Sequence, residues 1–321
     1  MQPKTFTHTL LGCAIAALAV GAQAQDYPNK PVRLIVPFPP GGSVDYVART
    51  ISQKFSEYMG QNVVVENRGG ASGTIGTYEA SRAAPDGYTL LLVFDSHAVN
   101  ASLYDIKYDT FKSFDYVSLI GNMPMALVTS KKSGLTSPQA VLAAAKAAPG
   151  KLNYGSSGVG GSNHLQPVAF ARQAGLQLMH VPYRGGGPMI TALLGGEVDM
   201  VIGSLPTVIQ YAKTGQANVV AIGSKERVAQ LPDVPTIGSV VPGYVSYSWI
   251  GMMVPKGVPA PIFAHVQTAL RKTMADPAVK NKMENDGFNI INSSPAEFET
   301  QVRSESKRWA ELIRDEKIKV D

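Results

Sequence analysis

Short apolar runs alternate with amphipathic stretches along most of this 321-residue chain. The run Val32–Val36 is brief, largely β-branched and bounded by prolines, which marks a buried strand. Behind it, Val44, Val47, Ala48, Ile51, Phe55 and Met59 recur on one face at helical spacing, and Gly60 can end that helix. The same pattern predicts strands at Val63–Glu66, Thr89–Phe94, Ala126–Ser130, Val198–Ile202, Val219–Ile222 and Ile250–Val254. It predicts helices over 44–59, 74–83, 138–148, 162–174, 188–195, 205–213, 260–275, 277–286 and 295–315. Such alternation implies an α/β architecture with parallel sheets covered on both faces. Ser137-Pro138 supplies a cap and a first-turn proline, and Ser294-Pro295-Ala296-Glu297 reads as a capping box. The last helix aligns Phe298, Val302, Trp309, Leu312 and Ile313, so Trp309 reads as a core anchor.

Two proline- and glycine-bearing stretches, Gly121–Pro124 and Val241–Tyr244, are candidate joins between domains. They divide the chain into one lobe of 25–123 with 248–321 and a second lobe of 124–247. A ligand then belongs in the cleft where strand C-terminal edges face each other.

The ends and the charge narrow the class. Lys4, the apolar stretch Leu10–Val20 and Ala22-Gln23-Ala24 make residues 1–24 a secretory signal peptide, with the mature chain starting near Gln25. That stretch is too short to span a bilayer. Cys13 is the chain's one cysteine, and most of the apolar stretch follows it, which argues against a lipoprotein box. The mature chain then has neither a disulfide nor a cysteine metal site. The net charge of +5 becomes +4 without Lys4, and the charges are scattered, which argues against nucleic acid and a polybasic membrane patch.

Chemistry concentrates in glycine-rich turns at strand ends. Pro37-Phe38-Pro39-Pro40-Gly41-Gly42-Ser43-Val44-Asp45 joins the first strand to its helix. Ser72-Gly73 precedes another helix, as do Ser156-Ser157-Gly158 through Gly161-Ser162-Asn163-His164, Arg184-Gly185-Gly186-Gly187 and Gly203-Ser204. Each turn can aim free backbone N–H groups and the positive end of a helix dipole at one spot, where an anion binds without a cationic side chain. Phe38 is a candidate wall of the cleft, and Ser96 and His97, after the third strand, are further candidate contacts. Asp45 either touches the ligand or complements its own helix dipole; Arg184 either reaches an anionic ligand or pairs at the surface.

Enzyme signatures fail. Gly155-Ser156-Ser157-Gly158-Val159 misses the nucleophile elbow at its last position, and phosphate-loop and dinucleotide fingerprints are absent. His97, His164, His180 and His265 show no metal-ligand spacing, so neither a metal nor a cofactor is expected. Ser157 with His164 is the one pair that suggests a hydrolase.

Residues 27–316 resemble the Bug family, the periplasmic solute receptors of tripartite tricarboxylate transporters. The resemblance rests on Tyr27-Pro28-Asn29-Lys30-Pro31, Val36-Pro37-Phe38-Pro39-Pro40-Gly41-Gly42, Val64-Val65-Glu66-Asn67-Arg68, Pro85-Asp86-Gly87-Tyr88, Pro149-Gly150-Lys151-Leu152-Asn153-Tyr154, Gly161-Ser162-Asn163-His164-Leu165, His180-Val181-Pro182-Tyr183, Leu194-Gly195-Gly196-Glu197-Val198-Asp199 and Leu231-Pro232-Asp233-Val234-Pro235, all in order. It implies a type II periplasmic-binding-protein fold whose two lobes close on a small organic carboxylate, which is passed to separate membrane permease subunits. It implies that the loops Phe38–Asp45 and Ser156–His164 grip the carboxylate, with Arg184–Gly187 and Gly203-Ser204 as further contacts. Val44 and Gly203-Ser204 depart from the usual hydroxyl and Asp-Asn at those places. The second departure disfavours an amino-acid ligand and, with Phe38 and Phe94, favours an aromatic or long aliphatic carboxylate. A monomer is expected. A periplasmic sensor that docks on a membrane signalling partner would use the same fold and site.

Overall fold

The computed structural model describes residues 27–320. The expected signal peptide lies outside the described residues. The chain folds as β1 (Val32–Val36), α1 (Ser43–Met59), β2 (Val63–Asn67), α2 (Thr74–Ser81), β3 (Thr89–Phe94), α3 (Asn100–Leu103), β4 (Phe114–Ser130), α4 (Pro138–Ala147), β5 (Asn153–Ser156), α5 (Ser162–Ala174), β6 (Met179–Pro182), α6 (Gly186–Gly195), β7 (Met200–Ser204), α7 (Leu205–Lys213), β8 (Ala217–Ile222), β9 (Tyr247–Pro255), α8 (Ala260–Ala275), α9 (Pro277–Asn285), β10 (Asn289–Ile290) and α10 (Pro295–Asp315).

Two sheets share the long strand β4. The first runs β2-β1-β3-β9-β4, and its β4 residues 114–124 pair with β9. The second continues β4-β7-β5-β6, with β8 also on β4, and its β4 residues 125–130 pair with β7 and β8. Gly121–Pro124 therefore lies within a strand and not in a loop. Each sheet is mixed: β1 is parallel to β2 and β3, and β5 to β6 and β7, but β9, β4, β7 and β8 meet antiparallel. The wholly parallel expectation fails because β4 and β9 carry the chain across and back between the halves. Neighbouring strands that run in opposite directions need no crossover helix.

Helices cover both faces of each sheet. Leu34, Leu90 and Leu92 pack under α1 and α8, while Ile35, Leu91, Val93 and Met253 pack against Phe298 and Val302 of α10. Gly251 on β9 has to be glycine: a Cβ there would sit 2.0 Å from the Phe298 ring. Ser294 and Glu297 form the capping box that starts α10. Trp309 is buried with Val99, Leu165, Leu312 and Ile313, so α10 also ties the first half to α5 of the second.

Candidate functional site

Helices α1, α5, α6 and α7 start at one place between the two halves. Their N-cap residues are Gly42, Gly161, Gly185 and Ser204, and none forms a side-chain cap. By contrast Ser137, Asp276 and Ser294 cap α4, α9 and α10, which lie elsewhere. These N-cap residues thus give their first-turn N–H groups no side-chain oxygen, although Asp95 Oδ1 reaches Ser162 N of α5 from the end of β3, and four positive dipole ends converge.

The chamber between them is lined by Phe38, Gly41, Gly42, Ser43, Val44, Phe94, Ser157, Asn163, Gly186, Met189, Ile190, Ser204 and Thr207. None of these is charged. Phe38 and Phe94 meet edge to face at 5.7 Å. The chamber holds about 30 Å³, room for one or two waters. The halves are shut across it: Ser43 Oγ lies 2.5 Å from Ser204 Oγ, and a Cβ on Gly186 would come within 3.1 Å of Gly42 Cα. Two wider pockets share walls with it. One, of about 690 Å³, is lined by residues including Pro40, Ser72, Gly73, Tyr104, Gly158 and Arg184. The other, of about 480 Å³, has Asp45, Tyr46, Gln210 and Lys282 among its walls.

Sequence comparison agrees with this arrangement. Residues 47–318 match the tripartite tricarboxylate transporter family receptor. The chain belongs to that family. It is 35% identical to the protein BugT of Bordetella pertussis over 306 residues, covering 94% of each chain. The structure of the periplasmic binding protein BugD superposes with a TM-score of 0.86 at 32% identity, over 91% of this chain and 99% of that one. Rpa4515 of R. palustris, solved with adipate, superposes with a TM-score of 0.87 at 31% identity, over 90% and 98% of the two chains. The receptor therefore has the two-lobed fold of periplasmic binding proteins, in a family of solute-binding proteins and not of enzymes.

Of the residues singled out from the sequence, Phe38, Gly41, Gly42, Ser43, Val44, Ser157 and Ser204 line the receptor's chamber. Pro40, Ser72, Gly73, Gly158 and the exposed Arg184 line the larger pocket. Asp45 is turned to its own loop. It accepts from Gly41 N (3.0 Å), Asn67 Nδ2 (3.0 Å) and Arg49 Nε (2.9 Å). Burial alone would raise its carboxyl, but these donors and the Arg49 charge hold it below the usual carboxylate range. Its carboxylate fixes the turn at Gly41.

The remaining candidates stand behind the chamber. Ser96 Oγ donates to Ser72 O (3.0 Å), Ser162 N donates to Asp95 Oδ1 (3.3 Å), and Gly161 caps α5. Gly203 sits in β7 opposite Ala126. His97 is not at the site: it is buried against Tyr108 and Phe114, with Nε2 3.3 Å from Thr110 O. His164 stacks on His180 at 4.0 Å and takes a hydrogen bond from Gly160 N (3.2 Å), while His180 Nε2 meets the buried Ser156 Oγ at 2.6 Å. This stack braces the turn 156–161 from beneath. Ser157 Oγ donates to Asn163 Oδ1 (3.0 Å) rather than to an imidazole, so the hydrolase pair is not formed. Among the described residues, no cluster of three or more His, Cys, Asp or Glu could hold a metal.

Asn163 lines the chamber from within the loop 156–164 already marked, whereas Thr207, Met189 and Ile190 are lining residues that the pattern of the chain does not single out. Each of the last three lies within two turns of a helix start that was legible, so a search of first-turn side chains would have found Thr207.

Burial lowers His164 to about 3, with help from its His180 neighbour, and lowers His180 to about 4. The unfolded chain binds protons on both near pH 6.5. Stability from this pair is therefore present above pH 6.5 and is lost as pH falls toward 4. Between pH 7 and 4.5 the unaltered protein is expected to lose up to about 5 kcal/mol of urea stability relative to a His164→Gln, His180→Gln protein, which shares every other titrating group. Equal acid sensitivity of the two proteins would refute a neutral stacked pair.

Proposed function

We propose that this receptor captures a small organic carboxylate between its lobes in the periplasm and passes it to the membrane subunits of a tripartite transporter. The observation that carries this reading is the convergence of four uncapped helix N-termini on a chamber with no charged wall. Hydrogen bonds from such amides to a carboxylate contribute about 1.5–3 kcal/mol each, enough for recognition without a basic side chain. The adipate bound by Rpa4515 supports the same chemistry. On this reading residues 1–24 direct export and are removed near Gln25, and the mature protein works as a monomer. One lobe is 25–123 with 248–321, and the other is 124–247; the change of β4 partners after Pro124 supports that division.

Phe38, Phe94, Met189 and Ile190 give the ligand's body an apolar, partly aromatic surround. An aromatic or long aliphatic carboxylate fits it better than an amino acid, whose ammonium group would meet no acid in the wall. Calorimetric titration with terephthalate, nicotinate, adipate, citrate and L-aspartate is expected to give binding with at least one of the first three and none with aspartate. Tight binding of aspartate alone would overturn the ligand class, and heat from none of the carboxylates would overturn the reading as a whole.

A further inference from the structure

At the mouth of the larger pocket, one backbone carbonyl of the second half is held by two hydroxyls of the first. Val159 O accepts from Ser72 Oγ at 2.5 Å and from Tyr104 OH at 2.9 Å, and the two hydroxyls lie 3.1 Å apart. A carbonyl oxygen has two lone pairs, and here both are used. We infer that Ser72 and Tyr104 are positioning residues that latch the receptor shut and set the balance between its closed and open forms.

The loop that presents Ser72 is built for that contact. Gly70, Ala71, Ser72 and Gly73 all have positive φ, and at Ala71 (+44°) and Ser72 (+50°) an L side chain is strained. The surrounding lobe holds the strain in place: Ser96 Oγ and Asn100 Nδ2 both donate to Ser72 O, at 3.0 and 3.2 Å. The hydroxyl is thus aimed across the cleft by its own half and needs no ligand to arrange it. On the far side the turn is equally fixed. Ser156 Oγ donates to Gly158 O, and Gly160 N is tied to His164. Two preset loops therefore meet at a single oxygen. When the halves part, Val159 O and both hydroxyls return to water, so the latch adds only the net worth of its bonds. That modest increment suits a receptor that has to open again. Tyr104 lies just past α3 and lines the larger pocket, so the latch biases that rim of the cleft in particular.

The inference concerns closure of the same site as the proposed function, but its test uses no ligand, so either can fail alone. The mature chain offers a cysteine-free background for labelling. Donor and acceptor dyes on Gln53→Cys and Lys146→Cys, both exposed and one on each half, report opening by single-molecule energy transfer. Tyr104→Phe removes one oxygen. Ser72→Gly removes the other and accommodates the positive φ without strain. Each is expected to raise the open-to-closed ratio about three- to tenfold with no fall in melting temperature. An unchanged ratio in both variants overturns the latch. So does a shift with Ser72→Gly alone, which would assign the effect to loop strain.

Discussion

A Ser43→Cys, Ser204→Cys receptor, once oxidised, is expected to lose affinity for every carboxylate that the unaltered receptor binds, by about 100-fold or more, and to regain it in reductant. The two serine oxygens lie 2.5 Å apart across the chamber, one at the start of α1 and the other at the N-cap of α7. Sulfur sits farther from Cβ than oxygen does, and a disulfide needs Cβ atoms only about 3.5–4.5 Å apart, so this pair is within reach of one. Cys13 is the chain's one native thiol, and on the proposed processing the mature receptor lacks it. With the halves joined, the chamber stays at about 30 Å³, smaller than any of the carboxylates in question. Entry then requires reduction. If the oxidised protein binds as before, the ligand site is not the chamber under the four helix starts. If no disulfide forms in air, the closed arrangement is too rarely visited to matter in solution.

The parts of the site that were legible in the sequence are those where backbone conformation is written in residue type. The run Val32–Val36, the glycines at 41 and 42 and the amphipathic face of α1 each have one physical reading, and together they place a helix N-terminus at a strand end. The strands β5 and β6 were not legible. Asn153–Ser156 is four residues long and contains glycine and serine, so nothing in it separates a buried strand from the turn that follows. Met179–Pro182 is an outer strand of its sheet and has no buried alternation. The latch was hidden for a different reason. Ser72 adopts a conformation that favours glycine, and the hydrogen bonds from Ser96 and Asn100 help hold it there. Tyr104 lies in the loop between α3 and β4 with no periodicity to place it. Histidine roles were illegible too, because stacking of His164 on His180 joins residues from α5 and β6 through tertiary packing alone.

Replacement of Asp95 by Asn is expected to stabilise the receptor, by an amount that grows with pH. Asp95 follows β3 and is 6% exposed. Its carboxyl faces Ser162 N in the first turn of α5, and the charge of Glu305 on α10 acts on it as well. Burial pushes it up to about 8, against the partial help of its hydrogen bonds with Ser162 and Ser96. In the unfolded chain the same group releases its proton near pH 4. Between those values the folded protein holds a proton that the unfolded chain has lost, so this group's contribution falls as pH rises and levels off above pH 8. Asparagine keeps an acceptor for Ser162 N and has no proton to lose. The gain should be small at pH 4.5, climb by about 1.4 kcal/mol per pH unit at most, and reach about 3–5 kcal/mol near pH 8. His164 and His180 tilt stability the other way below pH 6.5, but both proteins share them, so they cancel in the difference. Urea titrations at pH 4.5, 6, 7.5 and 8.5 measure it. A constant difference would mean that the carboxyl ionises alike in both states. A loss at pH 8 would mean that the charged carboxylate, set against the α5 dipole, is stabilised where burial alone would disfavour it.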